Sequence, residues 1–86
     1  MDINNLIAIV KKKLNNEIVI EKIEVEDKSF LHKNHSGHQE GMFHLKLIIS
    51  SNELRKLDKI KSNKKIYKIL DEEMREYIHS LQILIS

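Results

Sequence analysis

The sequence predicts an α+β fold in the order α-β-β-α-α-β, with a three-stranded sheet that carries helices on one face. Apolar residues recur with helical spacing at the start of the chain and in its second half. In the first half, they alternate with polar residues as in half-buried strands, and the last residues are rich in β-branched types that favour a strand. Elements with one apolar face bury it against each other, so we expect a single core.

The first predicted element is an amphipathic helix that ends near Asn15. Asp2 is placed to cap its N-terminus, and the lysines at positions 11–13 lie opposite its apolar face. The predicted apolar face consists of Ile3, Leu6, Ile7, Val10 and Leu14.

Two strands joined by a long loop are predicted next. The first strand covers about residues 20–27, where apolar and charged residues alternate. The loop, residues 29–41, contains both glycines and three of the five histidines, so we expect it to be exposed and mobile. In the second strand, residues 43–49, the main apolar row holds the odd positions, while His44, Lys46 and Ile48 lie on the other face, so His44 points away from that row.

The second half of the chain is predicted to form two helices and a final strand. Ser50 followed by Glu53 is a capping-box pattern, which predicts a short helix that begins near Ser51. Ser62 resembles a second cap and predicts the start of the next helix. The final strand covers residues 78–85. The predicted buried stripe of the second helix is Ile66, Ile69, Leu70 and Met74.

Length and composition predict one small domain over residues 1–86. Charged residues make up 33% and hydrophobic residues 41%, a composition typical of a chain that folds around one core. The chain has no cysteine, which excludes disulfides, thiolate nucleophiles and thiolate metal ligands of its own. It has neither a secretory-signal pattern nor an apolar stretch of spanning length, so we expect a cytoplasmic, or organelle-interior, protein away from membranes. We also expect the chain to be monomeric when free.

Charge alone does not predict nucleic-acid binding. The net charge is +2, and thirteen of the fifteen basic residues are lysines, which bind phosphate but lack the planar fork that reads base edges. The acidic run at residues 71–73 is most simply a solvated helix face. The lysines of the middle helices are either a second solvated face or a phosphate-binding surface, which would be formed by Lys61, Lys64, Lys65 and Lys68.

The histidines are the candidate metal ligands, because imidazole binds borderline transition metals. His32, His35 and His38 recur every three residues in the loop, although a polar loop also tolerates histidines without a metal. His79 is predicted to share a strand face with apolar neighbours, where a hydrogen-bonded structural histidine is the alternative. His44, on a polar strand face, is more typical of a cross-strand contact than of a ligand. The predicted neighbours of His79 on its face are Leu81, Ile83 and Ile85.

The sequence does not indicate an enzyme. It contains no G-x-S-x-G elbow, no H-E-x-x-H helix and no glycine-rich phosphate loop. We therefore predict no catalytic residues, and a hydrolytic metalloenzyme ranks third among the functions considered.

Three segments resemble, in order, the pattern of the BolA-like protein family. Residues 23–29, continued to His32, resemble a strand that runs into a D-x-S-x-x-H loop. Residues 43–50 resemble the second strand of the family, and residues 78–83 resemble its I-H-A-L-x-I strand. The resemblance covers nearly the whole chain and implies a fold similar to that of class II KH domains.

The resemblance implies a role in iron-sulfur cluster handling. BolA-like proteins pair with monothiol glutaredoxins around a [2Fe-2S] cluster, for which the partner and glutathione contribute the thiolates; the free chain would hold no cluster. The position of the family's metal-binding histidine corresponds to His79, and the S-x-x-H spacing points to His32 as the second ligand, with His35 as a substitute. His44 is a weaker match, because the family writes H-F where this chain has Phe43 and His44. We expect His79 and His32 to converge at one end of the sheet.

The resemblance also implies a second function, nucleic-acid binding in transcriptional regulation. The chain departs from the expected patterns at two places: the first removes any role of the family's triplet histidine, and the second, the missing KH glycines, weakens the nucleic-acid function. The R-H-R triplet of the family is replaced by residues 62–64, Ser-Asn-Lys, and residues 59–62 lack the glycines of the KH phosphate clamp. The cluster adaptor is therefore the leading prediction and DNA binding the alternative.

Overall fold

The computed structural model describes residues 1–29 and 42–86. It confirms the predicted order of elements, except that the last predicted helix is two helices. Within these two ranges, no helix combines the length and apolarity that crossing a bilayer requires. The elements are α1 (Ile3–Glu17), β1 (Lys22–Asp27), β2 (Phe43–Ser50), α2 (Asn52–Arg55), α3 (Lys59–Ile69), α4 (Asp71–Glu76) and β3 (Ile78–Ile85).

β2 is the central strand of the three-stranded sheet. β1 pairs with it antiparallel, as predicted for a hairpin, and β3 pairs with it parallel on the other side. A parallel pair needs a long crossover, and α2, α3 and α4 occupy it. The helices pack against the face of the sheet that carries the odd-numbered residues of β2. The buried apolar core consists of Leu6, Val10, Leu14, Ile18, Leu45, Leu47, Ile49, Leu54, Ile66, Leu70, Ile78 and Leu81.

The predicted N-cap residue is confirmed for α1 but not for α2. Asp2 caps α1 as predicted, since its Oδ1 accepts the Asn5 N–H at 2.9 Å. The cap of α2 is Ser51 rather than Ser50, because the Ser51 hydroxyl accepts the Leu54 N–H. Glu53 does not complete a capping box and instead accepts the N–H of Val19, which leads from α1 towards β1.

The prediction that Ser62 begins the next helix is wrong. α3 begins at Lys59, and Asp58 caps it by accepting the Lys61 N–H at 2.8 Å. Ser62 is buried inside the helix, where its hydroxyl donates to the Lys59 carbonyl at 3.0 Å. Serine is compatible with a helix interior when its hydroxyl bonds back to the preceding turn. The helix then breaks at Leu70, which separates α3 from α4.

We expect Asp58→Ala to lower the free energy of unfolding by about 1 kcal/mol, because the Lys61 N–H loses its acceptor. Asp58→Asn keeps an acceptor oxygen and should lose much less. Urea denaturation of the two variants measures the difference. Equal losses for both would contradict the cap and indicate a general effect of the charge.

One residue of the acidic run is buried, contrary to the prediction of a solvated face. The Glu73 side chain is buried, and its carboxylate lies 2.6 Å from the Lys13 ammonium of α1. This hydrogen bond raises the pKa of Lys13 above its ordinary value. The ion pair ties α1 to α4, the helix that leads directly into β3.

Candidate functional site

His79 lies exposed to solvent, not on the core face predicted for it. Ile78 and Ser80 pair with successive residues of β2, so β3 has one extra residue between them and forms a bulge. The bulge shifts the alternation of side chains, and Ile78 therefore takes the buried position at the start of the strand. The prediction that His79 shares the face of Leu81, Ile83 and Ile85 is wrong.

His79 and His44 form a pair of neighbouring rings. Their ring centroids are 4.9 Å apart, and the ring planes are tilted by 57°. His44 points away from the helical core, as predicted, yet it is only 7% exposed. The structure thus brings His79 together with the candidate ligand that the sequence ranked lowest.

Hydrogen bonds fix His44 from several sides. Its Nδ1 lies 2.7 Å from the Ser80 hydroxyl on β3, which confirms the predicted cross-strand contact. Its backbone N–H donates to the Ser29 hydroxyl at 3.0 Å, and its carbonyl accepts the Lys28 N–H at 2.7 Å. The Ser29 N–H in turn donates to the Asp27 carboxylate at 2.9 Å. The residues that follow β1 are therefore anchored beside the histidine pair.

The three loop histidines lie outside the described residues. The convergence of His79 with His32, and the roles of His35 and His38, stay predictions. The Ser29 hydroxyl accepts the His44 N–H, so the chain lies beside His44 at the last residue before the segment 30–41.

The sequence reasoning missed Ser80 and Ser29, which hold His44 in place. A signal for Ser80 was present, because the chain has Ser80 where the I-H-A-L pattern of the resembled family has alanine. The chain also has His44 where that pattern has phenylalanine in its H-F pair. The two residues that depart from the family pattern are neighbours in the sheet, since the register pairs His44 with Ser80.

The lysine surface of α3 is less uniform than predicted. Lys61, Lys64 and Lys68 are exposed, whereas Lys65 is half-buried and its ammonium lies 2.9 Å from the Glu53 carboxylate. The hydrogen bond from Lys65, together with that from the Val19 N–H, lowers the pKa of Glu53. Lys65 therefore already has an anionic partner within the chain, and three lysines of this surface face solvent.

The sequence and fold both match proteins of one known family. A sequence model described as BolA-like protein matches residues 14–86. The chain belongs to the BolA-like protein family. A relative from Haemophilus influenzae, named DNA-binding transcriptional regulator BolA, is 28% identical over 75 residues, which cover 87% of this chain and 70% of the relative. The resemblance inferred from the three motifs is thereby confirmed.

Solved BolA structures have the same fold as this BolA-like chain. The BolA domain of SufE1 from Arabidopsis thaliana is 28% identical and superimposes with a TM-score of 0.79, covering 94% of this chain and 90% of that one. BolA1 from Arabidopsis thaliana, 24% identical, has a TM-score of 0.76 and covers 93% and 88% of the two chains. At that identity BolA1 supports the fold alone. The α+β fold predicted from the sequence is confirmed.

Proposed function

We propose that this BolA-like chain is an adaptor in iron-sulfur cluster handling that shares a [2Fe-2S] cluster with a monothiol glutaredoxin. The observation that carries the proposal is the exposed His79 ring, held beside His44 on the face of the sheet that the helices leave open. The chain acts as a ligand donor and a docking partner, not as an enzyme. In this proposal it works in the cytoplasm and is monomeric until it meets the glutaredoxin.

The donor atoms of the chain fit a shared cluster better than a cluster of its own. Imidazole is a known ligand of iron in [2Fe-2S] centres, and the chain has no cysteine. In the ranges 1–29 and 42–86, no group of three or more histidine or acidic side chains could hold a metal ion. The missing thiolates would come from the glutaredoxin and its glutathione. When bound, the cluster supplies iron and sulfide for transfer.

The chain's own contribution would be one or two imidazoles on a rigid base. His79 can reach a partner without any unfolding, because it is exposed at the start of a strand that pairs with the central strand. His32 and His35 are the candidates for a second ligand from the segment 30–41, and His44 is the candidate from the sheet. Rigid presentation favours binding because little conformational entropy is lost when the partner docks.

Titration of the purified chain into cluster-loaded monothiol glutaredoxin, with glutathione present, tests the proposal. Visible circular dichroism should show a new signal that saturates at one chain per cluster, whereas the chain alone should show none. A parallel titration with cluster-free glutaredoxin separates protein docking from cluster sharing. An unchanged spectrum at a large excess of the chain would overturn the proposal.

DNA binding is the second candidate function. Two observations favour it: a relative is named as a DNA-binding transcriptional regulator, and Lys61, Lys64 and Lys68 lie exposed on one side of α3. Lysine ammonium groups would contact phosphates rather than bases, so we expect little sequence preference.

If the chain binds duplex DNA, Lys64→Gln should reduce the salt dependence of its affinity. Each neutralised phosphate adds about 0.9 to the slope of log K against log salt, so the slope should fall by about that amount. Fluorescence anisotropy at several salt concentrations measures it. Lys12→Gln removes the same charge from the exposed side of α1 and should leave the slope nearly unchanged. Tight sequence-specific binding that survives high salt would contradict this phosphate-contact account.

A further inference from the structure

The ring of His79 has a neighbour that can restrict its motion. An exposed side chain ordinarily samples several rotamers. Here the neighbour is His44, a residue that is only 7% exposed and whose ring centroid lies 4.9 Å from that of His79. Contact with the buried His44 ring reduces the number of rotamers that the exposed His79 ring can adopt.

The His44 ring is held by Ser80. The Ser80 hydroxyl lies 2.7 Å from His44 Nδ1, and it donates or accepts according to the tautomer of the ring. Rotation of the ring would break this bond. The main chain of His44 cannot shift easily either, because Ser29 and Lys28 bind its N–H and its carbonyl.

We propose that Ser80 is a positioning residue, which holds the His44 ring so that this ring in turn orients His79 for coordination. The β-bulge makes the arrangement possible, since it exposes His79 while returning Ser80 to the register position opposite His44. The inference rests on the proposed function, because it concerns the presentation of His79 to the shared cluster. Residues that orient a metal ligand typically contribute about 10- to 100-fold to metal affinity, and we expect the lower end here.

The first test uses the chain alone. Nuclear magnetic resonance of chains carrying ¹³C-labelled histidine, at one fixed pH, reports the ring shifts and the side-chain relaxation of His79. Ser80→Ala should shift the ring signals of both His44 and His79 and increase the mobility of His79. Ser80→Thr, which keeps the hydroxyl, should restore the wild-type values. The matched control is Ser86→Ala, because the hydrogen bonds of Ser86 to Ser51 and Arg55 use only its main chain.

The second test compares the same variants in the titration with cluster-loaded glutaredoxin. We expect Ser80→Ala to bind about 10-fold more weakly, Ser80→Thr to bind like the wild type, and Ser86→Ala to show no change. If Ser80→Ala fails to fold, His44→Phe keeps a ring at this position without its nitrogens, and it should also increase the mobility of His79.

The outcomes separate the two proposals. Unchanged His79 signals in Ser80→Ala, or a change that Ser80→Thr does not reverse, would overturn the positioning role whatever the cluster titration shows. A wild-type chain that does not affect the cluster would overturn the proposed function, while the shifts in the chain alone would still establish that Ser80 orients the ring pair.

Discussion

His79→Ala is expected to abolish the circular dichroism signal of the shared cluster and to leave the fold intact. In the proposed function the imidazole is the donor that the chain presents to the partner, and β3 contains no second histidine to replace it. Because His79 is exposed, removing its ring leaves no cavity, and the free energy of unfolding should change by less than about 0.5 kcal/mol. The titration with cluster-loaded glutaredoxin and a urea denaturation curve measure the two effects.

The controls for this experiment come from the same strand and from the loop. Gln82→Ala removes an exposed side chain three residues further along β3 and should leave the signal unchanged. His32→Ala should weaken cluster sharing without abolishing it, with partial replacement by His35. A full signal from His79→Ala would show that this histidine is not a ligand. If His79→Ala does not fold, the stability of Gln82→Ala shows whether β3 tolerates the loss of an exposed side chain.

The largest effect on stability is expected from Leu47→Ala. Leu47 lies at the centre of β2 with 0% exposure, where it pairs with Val25 on one side and Ile83 on the other. Removing a buried leucine side chain costs about 2–5 kcal/mol, through lost apolar burial and the cavity that remains. This is a large fraction of the 5–15 kcal/mol that typically stabilises a small domain, so the variant should be partly unfolded at moderate temperature.

Leu84→Ala is the matched control for Leu47→Ala. Leu84 is the same residue type in the neighbouring strand, but it is 43% exposed and lies on the open face of the sheet. We expect it to cost less than about 1 kcal/mol, because much of its surface already contacts water. Urea denaturation of both variants decides the question. Equal losses would show that the core does not lie on the face that carries Leu47.

The sequence was sufficient to predict the fold because burial on one face repeats along each element. The odd positions of β2 are apolar, and those from Leu45 to Ile49 are buried, while the apolar stripe of α1 faces the same core. Each pattern therefore indicates which face of its element is buried. Helix boundaries were less predictable. Asp58 and Ser62 are both good cap residues, and only the hydrogen bond to the Lys61 N–H distinguishes the real cap from a serine inside the helix.

The environment of His79 could not be predicted from periodicity. A strand alternates strictly until a bulge adds a residue, and this bulge depends on how β3 pairs with β2, more than thirty residues earlier in the chain. The same long-range pairing brings His44 to His79. Local sequence correctly predicted that His44 points away from the core, but its proximity to His79 could be seen only from the sheet register.

Pulsed electron paramagnetic resonance of the reduced complex can detect directly whether His79 donates its imidazole to the shared cluster. The chain is labelled with ¹⁵N-histidine, and the glutaredoxin is left unlabelled. We expect a strong ¹⁵N coupling from a directly bound nitrogen in the wild type, and loss of the His79 contribution in His79→Ala. A wild-type complex whose reduced cluster shows no ¹⁵N coupling from the chain would show that His79 is not a ligand.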